Sequence, residues 1–235
     1  MTSHMIVTID GPAGSGKSTV ARQLAIRLGV RFLDTGAMYR AIALAVLNHN
    51  VSEDDEAAVT ALATSVQIQF NEDQLLLNGQ DATADIRRSD VTAISSVVAA
   101  HSAVRERLVE LQRSVGESGS LVTEGRDQGS VVFPLAQHKF FLTANLDVRA
   151  RRRHKELVGK GSKLTLSTVK SQLSQRDDRD ETRIHAPLKP AEDAQLIDTS
   201  HYTIAQVVDL LCDTVQGKTD SPSTKSPVAD ESTRV

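Results

Sequence analysis

Residues 5–30 read MIVTIDGPAGSGKSTVARQLAIRLGV, and this stretch decides the architecture. The apolar run Ile6 to Ile9 suits a buried strand, whereas Val20, Leu24 and Leu28 recur at helical spacing over Lys17 to Leu28. Between them Gly11, Gly16, Lys17 and Ser18 satisfy G-x-x-x-x-G-K-[ST], with a strand before and a helix after. Glycines here let successive backbone N–H groups close around phosphate oxygens, and the helix N-terminus adds partial positive charge. Gly11, Pro12, Ala13, Gly14, Ser15, Gly16, Lys17, Ser18 and Thr19 are therefore the expected nucleoside triphosphate site. Lys17 would reach the β- and γ-phosphates, and the Ser18 hydroxyl could hold Mg²⁺. The expected fold is α/β, a P-loop NTPase core with a parallel sheet flanked by helices.

The 235-residue chain suits one such domain, residues 5–217. Residues 218–235 are polar and rich in Pro and Ser, and read as a disordered tail. At the other end "SHM", residues 3–5, reads as a cloning scar. A net charge of −3 argues against a general nucleic-acid or membrane-surface binder, which needs a broad excess of Lys and Arg. One cysteine, Cys212, rules out a disulfide framework and a cysteine-rich zinc site. With no long apolar span and no signal-peptide pattern, the chain reads as a cytoplasmic monomer acting on small molecules.

P-loops serve switches, motors and small-molecule kinases alike. No N-K-x-D tetrad, no D-x-x-G after a second strand and no internal repeat is present, so a small phosphotransferase leads. Such an enzyme needs a second site for its acceptor, in line with the transferred phosphoryl group. "FLDTGAMYRAIALAVL", residues 32–47, is a strand end followed by an Ala-rich helix that carries Tyr39 and Arg40 early. Arg40 is a ligand candidate there; Thr35 is either a ligand or an ordinary N-cap.

Alternation at Val66, Ile68 and Phe70, a turn at Asn71 to Gln74, and Leu75 to Leu77 predict a hairpin or meander. It opens an inserted lobe of about residues 63–115, whose helical part contains Ser95, Ser96 and Arg105. A strand over Leu121 to Thr123 then ends in Glu124, Gly125, Arg126 and Asp127, charges in a position favoured for ligands. After a further strand in "KFFLTAN", residues 139–145, Arg149, Arg151, Arg152 and Arg153 precede a Gly/Lys-rich loop. They suggest a mobile lid at about residues 150–170, with Arg149, Arg152 and Arg153 as its phosphate-neutralising candidates.

"QRDDRDETR", residues 175–183, holds seven charges in nine positions. On a helix Arg176, Arg179, Asp180 and Arg183 would share one face while Asp177, Asp178 and Glu181 look elsewhere. That face would suit a phosphorylated sugar, guanidinium for phosphate and carboxylate for hydroxyls. The helix is expected to stop at Ala186-Pro187.

The blocks "IDGPAGSGKST", "LDTGAMYR", "DIRR", "EGRDQGSVVFP", "QRDDRDETR" and "APLKPAEDAQLIDTS" occur in the order and spacing of one family. Over residues 5 to 216 the chain resembles the bacterial cytidylate (CMP) kinases. That resemblance implies ATP and Mg²⁺ as phosphoryl donor and metal, CMP and dCMP as acceptors, and an inserted lobe that binds the nucleoside monophosphate. It further implies that Ser96, Arg105 and Asp127 read cytosine and that Arg176 and Asp180 hold ribose. Arg40, Arg126 and Arg183 would grip the acceptor phosphate. Lys17, Arg126, Arg152 and Arg183 would then carry catalysis by positioning and charge neutralisation, with no protein nucleophile. On the residues alone, a P-loop kinase for another small acceptor and a nucleotide-dependent switch stay open.

Overall fold

The structure, a computed structural model, describes residues 4–71 and 74–218. A five-stranded sheet is built from β1 (Ile6–Asp10), β2 (Arg31–Asp34), β6 (Leu121–Gly125), β7 (His138–Thr143) and β8 (Gln195–Asp198). Their order across the sheet is β2-β6-β1-β7-β8, and every pairing is parallel. Parallel strands must be joined by crossovers that lay helices over the faces, so both faces are buried. Val7 and Ile9 pack with α1 (Lys17–Leu28) and α8 (Ile204–Val215), the latter begun by a reciprocal Thr203/Gln206 cap. The opposite face supports α2 (Thr35–Asn48), α3 (Glu56–Ser65), α4 (Ser89–Val98) and α5 (Ser102–Glu117).

A small antiparallel sheet of β3 (Ile68–Asn71), β4 (Gln74–Leu77) and β5 (Gln80–Asp81) lies between α3 and α4 in the chain. Leu75 and Leu77 anchor it to the α2 core, which is why the sequence alternates there. Residues 72 and 73, in the expected turn, lie outside the described residues, as does the tail from Thr219. The helical pattern from Asp90 to Val115 is two helices, not one, broken at 99–101, where the His101 ring bonds the Glu53 carbonyl. The hairpin α6 (Leu146–Gly159) and α7 (Leu166–Thr182) stands between β7 and β8 in the chain and has its own small core of Ala150, Val169 and Leu173 against Ala13. Among the described residues no helix is long and apolar enough to cross a membrane.

The segment after β6 makes one π-helical turn, Gln128–Val132, next to a polar anchor in β1. Both carboxylate oxygens of buried Asp10 accept from it, from the Gln128 N–H at 2.9 Å and the Gly129 N–H at 2.8 Å. Asp10→Ala strands two buried donors, so it is expected to lower stability by about 2–4 kcal/mol. Urea unfolding checks this as a lower midpoint at unchanged slope; an unchanged midpoint would mean that the turn holds without its anchor.

Candidate active site

Strand register gathers the chemistry at one edge. Asp10 of β1 pairs with Gly125 of β6, and Asp34 of β2 pairs with Glu124, so the carboxyl ends of three strands finish level. The P-loop leaves β1 at that level. Gly11 has φ 147°, and a Cβ there would run into the Leu142 carbonyl oxygen, so only glycine fits beside β7.

The carbonyls of the loop are taken from outside. Lys17 Nζ donates to Pro12 O at 3.1 Å, Arg149 Nη1 to Ala13 O at 3.1 Å, and Thr199 Oγ1 to Ser15 O at 3.2 Å. Gly14 and Gly16 both line the cleft, at φ 77° and 92°, a left-handed backbone that favours glycine.

That cleft, about 760 Å³, continues from the P-loop along β6 to the inserted helices. Next to Lys17, Glu124 Oε2 lies at 3.9 Å, and the Ser18 hydroxyl donates to Glu124 Oε1 at 3.0 Å. Asp34 caps α2 by accepting from the Ala37 N–H and pairs with Arg40 at 3.3 Å. Midway, Arg126 Nε donates to Asp180 Oδ2 at 2.8 Å, with Arg176 Nε at 4.0 Å from the same oxygen. At the far end Arg105 and Asp127 form a buried ion pair, and Arg183 Nη2 lies 4.0 Å from the other Asp127 oxygen. Tyr39, under Arg105, completes that end.

Burial dominates the electrostatics. It pulls the Lys17 ammonium down to about 7, with Arg126 adding to the shift and Glu124 opposing it. Arg176 falls to about 10 through burial and then Arg126. Burial and the nearby Asp34 raise Glu124 against the pull of Lys17. Burial also resists ionisation of Asp180, but Arg126 and Arg176 outweigh it and hold the carboxyl below its ordinary range. Arg40 Nε, Arg176 Nε and Arg183 Nη2 are buried without a hydrogen-bond partner. Buried donors are seldom left unmade, so three in one cleft point to an anion with several oxygens.

The structure brings Lys17, Ser18, Thr35, Arg40, Ser96, Arg105, Arg126, Asp127, Arg152, Arg176, Asp180 and Arg183 to the wall of this one cleft. Other expectations need correction. Asp177, expected to point away, is buried and ion-paired with Arg149, while Arg179 is exposed and bonds only the Gln175 carbonyl. The inward row is Leu173, Asp177 and Asp180, because the helix needs an apolar and a paired residue beneath its ligand face. The helix also stops at Thr182, ahead of Pro187, so Arg183 follows it in extended conformation.

Arg149 is no lid residue: it is buried, bonded to Ala144 O, Ala13 O and Asp177, and secures the P-loop. Arg152 is likewise tied back, to the Thr199 hydroxyl at 3.0 Å and its carbonyl at 2.6 Å, while still lining the cleft. Thr35 is not the cap; its hydroxyl donates to the Glu124 carbonyl at 2.7 Å. Ser95 bonds back to Thr92 O within its helix. Sequence reasoning passed over Asp34 and Thr199; for Asp34 the signal was an acid at the end of a strand, level with Glu124.

A P-loop at the carboxyl edge of a parallel sheet, facing a second basic end across one cleft, defines a P-loop phosphotransferase of small molecules. Comparison with known proteins narrows this. The cytidylate kinase family model matches residues 7–217, and the chain belongs to that family. Proteins named cytidylate kinase from Citrifermentans bemidjiense and Vibrio cholerae are 44% and 42% identical, covering 90% and 93% of this chain and 93% and 99% of theirs. That of Chromobacterium violaceum is 45% identical over 87% of this chain and 92% of its own. An uncharacterized protein from Eubacterium ventriosum shares the fold, with TM-score 0.52 at 13% identity, covering 92% of this chain and 99% of that one.

The low Lys17 value has a consequence for binding. A group at about 7 is half neutral at pH 7 and mostly neutral at pH 8, and a triphosphate beside it restores the ammonium. ATP binding is expected to take up protons, more at pH 8 than at pH 7, where the free ammonium is less depleted. Calorimetry in buffers of different ionisation enthalpy measures this. No uptake at pH 8 would mean that Lys17 is already charged in the free protein.

Proposed function

We propose that the cleft binds ATP at the P-loop and CMP at the inserted lobe, and transfers the γ-phosphoryl group to the CMP phosphate, giving ADP and CDP. dCMP is a second acceptor on this reading. The observation that carries it is the graded order along the cleft. A phosphate cradle comes first, then Arg40, Arg126, Arg176 and Arg183, three of them with a buried nitrogen unpartnered, then the Arg105–Asp127 pair. Lys17 senses Arg126, Arg176 and Asp180, while Arg183 senses Asp180, Asp127, Arg105 and Tyr39, which supports that sequence of positions.

Each segment matches part of a nucleotide. Arg40, Arg126 and Arg183 take the acceptor phosphate, and Arg176 and Asp180 the ribose. Asp127 accepts from the cytosine amino group, Arg105 donates to a ring acceptor, and Ser96 adds a hydroxyl. A uracil carbonyl would instead meet the Asp127 carboxylate in repulsion.

The acceptor phosphate is its own nucleophile, so the chain's task is alignment and neutralisation. Lys17 and the guanidinium groups meet charge that builds on the transferring oxygens, in a cleft where each contact is stronger than in water. The Ser18 hydroxyl, with Glu124 and Asp34 behind it, suits Mg²⁺: Asp34 is close enough to raise Glu124, and such a pair of carboxylates favours a cation between them and the phosphates. Mg²⁺, when bound, neutralises β- and γ-oxygens. The inserted lobe (63–115) and the lid hairpin (150–170) would close over the substrates to exclude water.

The acceptor assignments are tested by two variants that should fail differently. Arg183→Ala removes a phosphate contact and is expected to lower kcat/KM for CMP and UMP alike. Asp127→Ala is expected to fall mainly on CMP, narrowing its advantage over UMP. Each loss is expected at roughly one to two decades, the size of a buried charged contact. Equal losses for both acceptors in Asp127→Ala would refute the base assignment, and an unimpaired Arg183→Ala the phosphate assignment.

A further inference from the structure

The buried stripe of α5 is Val104, Arg105, Leu108, Gln112 and Gly116, and Gln112 is fully inaccessible within it. An amide in an apolar stripe costs stability unless its polar atoms are used, so its partners are informative. Gln112 Oε1 accepts from Gln128 Nε2 at 3.0 Å, and Gln128 Oε1 accepts from the Thr123 hydroxyl at 2.9 Å. Gln128 directly follows Asp127, and its backbone N–H is held by Asp10. A Cβ at Gly125 would come within 2.8 Å of the Gln128 side chain, so glycine leaves room for this amide to lie across the strand end.

The other end of Gln112 is unfinished. Its Nε2 is buried without a hydrogen-bond partner, and the Gln112 side chain is close enough to Tyr39 to oppose the rise that burial gives the phenol. Tyr39 is half-buried at the cleft end, with its ring 5.8 Å from the Arg105 guanidinium carbon. A row of amides thus runs beneath the acceptor end, from β6 through the Asp127 turn to the ring that supports Arg105.

We propose that Gln112 is a positioning residue of the acceptor pocket, tying the Asp127 turn, through Gln128, to the Tyr39–Arg105 wall and so fixing the spacing at which both walls meet the nucleobase. It rests on the reading that Asp127 and Arg105 take the base. The role differs from core packing: a side chain of equal volume without the amide would keep the fold and loosen the spacing.

Gln112→Met keeps the volume and removes the amide; Tyr39→Phe removes only the hydroxyl; Gln112→Glu keeps acceptors for both neighbours. Gln112→Met is expected to raise KM for CMP about five- to tenfold, the scale of one buried hydrogen bond, with KM for ATP and kcat within about twofold. It should also narrow the preference for CMP over UMP. Gln112→Glu should recover part of that preference, and Gln112→Met should add little in a Tyr39→Phe background. Melting of the ligand-free variants separates fold from site. The proposal is overturned if Gln112→Met lowers CMP and UMP use in equal proportion. It is also overturned if the double variant is additive. Should Gln112→Met not fold, a Tyr39→Phe variant with unchanged KM for CMP and unchanged preference overturns it. Asp127→Ala run in parallel locates the fault: if that variant shifts the preference and Gln112→Met does not, the positioning role alone fails, and if neither does, the base assignment fails with it.

Discussion

An excess of partly or fully buried cations over their carboxylate partners is the constraint on which this structure depends. Along the cleft Lys17 shares Glu124, Arg40 shares Asp34, Arg126 and Arg176 share Asp180, and Arg105 and Arg183 share Asp127. Six cations therefore face four carboxylates, in a protein whose net charge is −3. Two like charges 4 Å apart repel by about 4 kcal/mol at an effective dielectric of 20, which Asp180 and Asp127 offset by each standing between two cations. Burial first, and Arg126 second, lower Lys17 and Arg176.

Holding such a cluster requires a stiff frame, and the frame is made by backbone groups bonded to side chains. Asp10 grips the turn beyond β6, Asp34 caps α2, and Lys17, Arg149 and Thr199 take carbonyls of the P-loop. Arg149 links three segments, because the guanidinium that holds Ala13 O also pairs with Asp177 of α7. The hairpin α6–α7 is therefore joined to the P-loop at its base.

The alternation of a buried strand and a P-loop helix made the core legible, since the motif's spacing is set by phosphate geometry whatever the surrounding fold. The clusters at strand ends were readable for the same reason: Arg126 and Asp127 follow β6, and a parallel sheet sends such residues to the ligand edge. What was not legible depended on partners distant in sequence. Asp177 and Arg179 are both charged residues of one helix turn, and the pairing of Asp177 with Arg149, 28 residues away, goes with the one that turns inward. Helix periodicity put Arg176 and Asp180 on one face, and both line the cleft, but it put Arg179 there as well, and Arg183 reaches the cleft from beyond the helix end. The break between α4 and α5 is hidden because Ala99 and Ala100 carry no breaking signal, and the role of Gln112 depends on a partner, Gln128, that only the fold brings near.

The central claim is that one cleft reads two nucleotides, a triphosphate by its phosphates and a monophosphate by phosphate and base together. Steady-state ADP release from ATP and Mg²⁺, measured with CMP, dCMP, UMP, AMP and shikimate in turn, tests it most directly. The account predicts acceptor-dependent turnover with kcat/KM highest for CMP, dCMP next, and UMP lower by about a decade or more, the scale of one buried charged hydrogen bond to the base amino group. Equal use of CMP and UMP, a preference for AMP or shikimate, or ADP release that no acceptor stimulates would contradict it.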